Sequence, residues 1–170
     1  VARLALDDSI AMRVRFEGEV PERGELYFRG PVLTRFDGRN WRPLYSDRSP
    51  LAAIGARFAP VRLQGTPVRY EVTLEPNNRP WLLALDVAGR PPQVPQLPPG
   101  EVRGTPELQW MLAAPVTDLL RYEAESYLRW VQGPIGSAAA LPPEYRELPA
   151  GTNPRTLQLA TELMRASSAA

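Results

Sequence analysis

A chain of 170 residues with 20 basic and 19 acidic side chains has the size of one compact domain, and its net charge of +1 argues against a nucleic-acid-binding surface. It contains no cysteine, histidine or lysine, and all 20 basic residues are arginine. Those absences exclude a serine nucleophile with a His or Lys base, a Cys/His zinc site, a Schiff base and any disulfide; the exclusion is broad but not complete, since chemistry by carboxylates alone stays open.

An all-arginine basic set suits bidentate recognition of carboxylate or phosphate, but the many Ala, Pro, Gly and Leu residues make GC-rich codon usage the simpler reading. No apolar run approaches the roughly 18 residues a membrane helix needs, and Val1 opens no signal peptide. The missing initiator Met and the Ser-Ser-Ala-Ala end point to an excerpt from a longer protein.

Period-two alternation dominates the chain and predicts strands with one wet face. Ile10, Met12, Val14 and Phe16 alternate with Ala11, Arg13, Arg15 and Glu17. Leu26 to Phe36 is a second apolar stretch, and Gly30-Pro31 within it predicts a kinked strand at an edge or bulge, because proline removes a ladder donor. Phe36-Asp37-Gly38-Arg39-Asn40-Trp41 places Asp-Gly between two aromatics, the best hairpin signal in the chain.

Val68, Tyr70, Val72 and Leu74 alternate with Arg69, Glu71, Thr73 and Glu75, and after the turn Glu75 to Pro80 comes the apolar run Trp81 to Asp86. Residues 68–86 therefore read as a second hairpin with a longer loop. Pro91 to Gly100 is too proline-rich for a helix or central strand; it reads as a stiff connector crossing one end of a sheet, or else as a polyproline ligand. Glu107 to Ala113 and Leu119 to Leu128 complete the strand candidates.

Gly133 to Gly151 reads as a linker with one short turn at Pro143 to Leu148. Beyond it, Asn153 suits an N-cap and Pro154 the first helical position. Leu157, Ala160 and Met164 then share one face of a helix, with Leu159 and Leu163 beside it. The fold class expected is mainly β, an antiparallel β-sandwich or small barrel of about seven to nine strands with a C-terminal α-helix. Residues 1–149 form a β-rich domain and residues 150–170 the linker end and first helix of a following domain.

Candidate functional residues gather at the Asp-Gly turn. Arg35, Asp37, Arg39 and Arg42 either dock a neighbouring domain or anionic headgroups, or are solvated turn charges. Trp41 with Phe36 and Tyr27 offers an aromatic platform, or packs across the strand pair. Glu123 and Glu125 share a strand face roughly 7 Å apart, a separation an inverting glycosidase uses, although a wet face balanced by arginines is the plainer reading. Asp7-Asp8 has no calcium-loop spacing after it. A sandwich that binds glycan or peptidoglycan through Trp41, Trp81, Trp110 or Trp130 is the alternative function.

The chain also resembles a known family. Ala11-Met12-Arg13-Val14-Arg15-Phe16, Leu26-Tyr27-Phe28-Arg29-Gly30-Pro31-Val32-Leu33 and Arg35-Phe36-Asp37-Gly38-Arg39-Asn40-Trp41 are similar to the region just before the catalytic core of TgpA-type transglutaminase-like membrane proteins of bacteria. Tyr70 to Pro76, Trp81 to Asp86, Arg121 to Tyr127, Leu148-Pro149 and Asn153 to Thr156 extend the resemblance over nearly the whole chain.

The resemblance implies a parent protein with membrane helices and an extracytoplasmic Cys-His-Asp core, a transglutaminase-like acyltransferase or cysteine protease. The catalytic Cys and His would lie beyond Ala170, so no catalytic residue carries over. The implied role is a non-catalytic accessory domain at the periplasmic face of the cytoplasmic membrane. It would need no cofactor or metal. Its partners would be the core of the same polypeptide and a peptide or cell-wall substrate, with no nucleic acid, and it would meet the membrane only through other parts of the parent.

Overall fold

The computed structural model describes residues 8–43, 61–105, 107–132, 149 and 151–168. They fall into two compact units. The first holds β1 (Met12–Glu17), β2 (Phe28–Arg29), β5 (Val61–Gln64), β6 (Val68–Leu74), β7 (Trp81–Leu82), β8 (Ala84–Leu85), β9 (Val87–Ala88), β10 (Arg103–Gly104), β11 (Trp110–Met111), β12 (Leu120–Tyr127) and β13 (Arg129–Gln132). The second holds β3 (Arg35–Phe36), β4 (Trp41–Arg42) and α1 (Pro154–Ser168).

The three longest alternating segments pair into one antiparallel sheet of order β1-β6-β12-β9. Register carries their inward residues into rows: Phe16, Tyr70 and Ala124; Val14, Val72 and Tyr122; Met12, Leu74 and Leu120. Tyr70, Val72, Leu74 and Tyr122 are essentially inaccessible. Each apolar side chain so buried contributes about 1.5–3 kcal/mol. The row Phe16–Tyr70 adds a ring contact at 5.7 Å. Outward residues make the opposite rows, including Arg15, Glu71 and Glu123, and Glu17, Arg69 and Glu125. Arg13 bonds to Glu75 and Arg15 lies 3.5 Å from Glu71 across this wet face.

Short strands cover the inner face. Leu82, Leu85, Val94, Leu112 and Val116 join the inward residues of β6 and β12 in one core. Two tyrosines reach through that core to hold the covering layer. The Tyr70 hydroxyl accepts the Leu85 N–H and bonds Ser126 Oγ at 2.8 Å, while the Tyr122 hydroxyl donates to the Leu83 carbonyl at 2.8 Å. Burial raises the pKa of both phenols, with the neighbouring tyrosine adding to the effect at Tyr122.

The fold is mainly β with a C-terminal helix, as the alternation predicts, and every named strand pair is antiparallel. Among the described residues the sheets stay open and no barrel closes. The expected hairpin over 68–86 does not form. Strand β6 is already flanked by β1 and β12, so the run after Pro80 turns away: β7 pairs with β11 and β8 with β2. The stretch around Gly30-Pro31 breaks instead of kinking, leaving β2 and β3 in different sheets and different units.

The proline-rich segment starts along the sheet's edge, where Gln93 pairs with Glu123, and then sends Val94 into the core, with Leu97 packed against it. After β9 pairs with Ser126 and Tyr127, Gly89 N–H donates to the Glu125 carbonyl at 3.1 Å, and Gln93 exchanges two backbone bonds with Glu123 at 2.8 and 2.9 Å. Pro91 and Pro92 fall between those contacts, where edge geometry tolerates a missing donor. Gly89 is required by space, since a Cβ there would lie 2.7 Å from the Tyr127 ring.

In the second unit α1 begins at Pro154 as expected. The Asn153 carbonyl accepts the N–H groups of Thr156 and Leu157, with Asn153 itself at φ 49°. The apolar stripe is present but uncovered: Leu157, Leu159 and Leu163 are all exposed. The short turn expected at 143–148 lies outside the described residues.

Candidate functional site

All five residues singled out at the turn sit on the β3–β4 hairpin, as the Asp-Gly signal requires. Phe36 and Trp41 are register partners and their rings stack at 4.8 Å with planes 29° apart. Asp37 N–H donates to the Asn40 carbonyl at 3.1 Å. Between them Gly38 lies at φ 97°, a conformation glycine adopts without the steric cost of a side chain.

The Asp37 side chain organises the turn from inside. Its Oδ1 accepts the N–H of Asn40 at 2.7 Å and of Arg39 at 2.9 Å, and Arg42 Nη2 approaches Oδ2 at 3.5 Å. These contacts, the Asn40 amide first and the Arg39 amide second, hold the carboxyl below the usual carboxylate range. Arg35 pairs in register with Arg42, so two guanidinium-bearing residues stand opposite each other on the hairpin. Trp41 stays 57% exposed despite its stack on Phe36. The tip of the turn meets the residues that lead into α1: a Cβ on Gly38 would stand 3.2 Å from Thr152 Cγ2.

Tyr27 takes no part in the aromatic pair. It belongs to the first unit, where the Arg29 guanidinium lies 5.8 Å from its ring. The remaining tryptophans have structural partners. Trp110 packs against the core, Trp81 pairs with Met111, and Trp130 donates its indole N–H to Asp86 Oδ2 at 2.7 Å. Of the four, Trp41 is the exposed one.

Glu123 and Glu125 do share the wet face of β12. Glu125 Oε2 is occupied by Arg69 Nε at 3.0 Å and Arg90 Nη2 at 3.4 Å, and Glu123 stands opposite Glu71 in an open sheet face. That is the environment of charges balanced on a solvated surface. Among the described residues no group of three acidic side chains is placed to hold a metal ion.

One polar centre has no signature in the sequence. Asp86, at φ 40° between β8 and β9, receives Arg29 Nη2 on Oδ1 at 3.2 Å and Trp130 on Oδ2. Arg29 and Asp86 retain only 16% and 23% of their side-chain exposure. In the sequence Asp86 ends an apolar run and reads as a strand terminus, because its partners lie 57 and 44 residues away.

The comparisons with known proteins decide the family. Residues 1–131 match the model of the TgpA N-terminal domain. The chain belongs to the TgpA N-terminal domain family. It is 34% identical over 170 residues to a protein-glutamine gamma-glutamyltransferase of Pseudomonas aeruginosa, a match that covers 98% of this chain and 23% of that protein. It is also similar to the crystal structure of the periplasmic domain of TgpA from Pseudomonas aeruginosa, with a TM-score of 0.71 and 32% identity over 97% of this chain and 52% of that one. The ethylmercury-bound form of the same domain gives a TM-score of 0.72, with 53% of that chain covered.

The family expected from the strand and turn signatures is thus the one found. This chain spans less than a quarter of its TgpA-type relative and about half of the solved periplasmic domain. Among the described residues no helix is long and apolar enough to cross a membrane.

Proposed function

We propose that this chain is a non-catalytic periplasmic accessory domain of a transglutaminase-like protein. It spaces the catalytic core of the same polypeptide from the membrane and orients that core or its peptide or cell-wall substrate. Residues 1–149 are the accessory domain and residues 150–170 lead into the core, with Arg35, Asp37, Arg39, Trp41 and Arg42 as the docking surface.

The observation that supports this reading is the company the hairpin keeps. Strands β3 and β4 group with α1 and not with the β-rich unit, and the turn tip packs on Thr152 just ahead of the helix. A turn stiffened by Asp37 and a rigid aromatic pair offer area at little entropic cost, which suits docking. The absence of Cys, His and Lys supports the non-catalytic part. Both relatives extend well beyond the matched region, which leaves room for a core.

The test is replacement of Trp41 and Arg42 by alanine in the longer natural polypeptide, with acyl-transfer assays on amine and glutamine-peptide substrates. Reduced activity with the fold retained by circular dichroism is expected. Unchanged activity would rule out the hairpin as a docking surface.

A further inference from the structure

Every polar group of Asp86 is engaged. Its N–H donates to the Tyr27 carbonyl at 2.8 Å and its carbonyl accepts Arg29 Nε at 3.1 Å. Its two carboxylate oxygens take Arg29 Nη2 and Trp130 Nε1. The Arg29 guanidinium lies over both the Tyr27 and Trp130 rings, at 5.8 and 5.6 Å, so it is held by charge and by two aromatic faces at once. Asp86 adopts φ 40°, which side-chain-bearing residues seldom take up, and such a conformation persists only where the surroundings over-determine it.

The partners of this residue are not arbitrary in the topology. Arg29 ends β2, after which the chain passes into the second unit at residue 33. Trp130 lies in β13, after which the chain passes into the second unit for the last time. No ladder joins the two strands: β2 pairs with β8 and β13 with β5. The side chain of Asp86 is therefore a direct polar tie between the two strands from which the chain leaves the β-rich unit. Next to it, Leu85 is fixed to Tyr70 and Leu83 to Tyr122, so the tie stands on the core of the main sheet.

We infer that Asp86 is a positioning residue, a latch that fixes the separation and direction of the two departing strands through Arg29 and Trp130. The inference rests on the reading of this chain as an orienting accessory domain, and gives that role a named device inside the unit.

The absence of cysteine makes the test direct, because two introduced cysteines are the only labelling sites in the chain. Pro31 and Val131 are exposed positions next to β2 and within β13, and spin labels at Pro31→Cys and Val131→Cys report the separation of the departing strands. Two variants open the latch in different ways. Asp86→Gly suits the φ of 40° while removing the carboxylate, and Trp130→Phe keeps an aromatic ring for Arg29 while removing the indole donor.

A single narrow distance distribution is expected for the parent chain, and a broadened one for each variant, with far-UV circular dichroism unchanged. In the longer natural polypeptide the same variants should lower acyl transfer. A distribution that stays narrow in both variants overturns the latch. Broadening with undiminished acyl transfer overturns its positioning role. Acyl transfer undisturbed by removal of residues 1–149 altogether would sink the accessory reading itself, while the distance result for the strands would stand.

Discussion

The phenolic oxygen of Tyr70 accepts the backbone N–H of Leu85 at 2.6 Å, so the central strand β6 holds the covering strand β8 through the middle of the core. The same oxygen bonds Ser126 on β12. Three strands thus depend on one buried hydroxyl, and the wet face opposite contributes little by comparison.

Tyr70→Phe is expected to destabilise the chain by about 1–3 kcal/mol, because it leaves the Leu85 N–H and the Ser126 hydroxyl buried without their partner. Urea denaturation measures it. A double-mutant cycle with Ser126→Ala should be non-additive, since both substitutions break one network.

Alkaline pH should unfold the protein from the inside. Burial raises the pKa of Tyr70 and Tyr122 above the ordinary phenol value of 10.0. Between the unfolded and folded values the native state binds more protons than the unfolded one, so stability is full below about pH 10 and falls as pH rises through that window. Absorbance titration at 295 nm should show two phenols ionising only with unfolding, and Tyr122→Phe should flatten the decline. Normal ionisation of all tyrosines with the fold intact would contradict it.

Acid acts on the hairpin in the opposite sense. The Asn40 and Arg39 amides depress the Asp37 pKa below its ordinary value of 3.8. The turn's stabilisation is then present above that value and lost as pH falls through the lower folded value. Amide exchange at Arg39 and Asn40 should accelerate in that range, and Asp37→Asn should remove the dependence.

Gly38→Ala should cost about 1–2 kcal/mol, from a Cβ forced into positive φ, with crowding against Thr152 in addition. Thermal unfolding reads the loss. A neutral substitution would mean that the turn can relax away from the helix entry.

Tryptophan fluorescence separates docking from glycan binding. Trp41 should supply the acrylamide-accessible, red-shifted part of the emission, so Trp41→Phe leaves a blue-shifted, protected remainder. Peptidoglycan fragments should leave the spectrum unchanged, whereas the longer natural polypeptide should protect Trp41. A sugar-induced shift that disappears in Trp41→Phe would favour the glycan-binding alternative.

The parts of this fold legible in the sequence are those where one physical signal acts locally. Alternation at 12–17, 68–74 and 120–127 dictates which face is buried, and those strands form the main sheet in that register. Asp37-Gly38 carries its own turn chemistry, and Pro154 its own fit to the first helical position. The parts that are not legible depend on competition between distant partners. Residues 81–85 form short strands that pair with β11 and β2 because β6 has no free edge, and Gln93 finds Glu123 only after two prolines pass. Asp86 gathers partners from β2 and β13 that no spacing rule connects. The hairpin residues are recognisable as a candidate surface from their turn chemistry, but their grouping with α1 is a fact of tertiary packing.

The most direct test of the accessory role is acyl transfer by the longer natural polypeptide, measured on amine and glutamine-peptide substrates with residues 1–149 present and removed. Their removal is predicted to lower acyl transfer sharply or alter substrate choice while the core remains folded by circular dichroism. Equal rates and equal substrate preference in the two forms would contradict that role, and would leave residues 1–149 a spacer with no part in orienting the core.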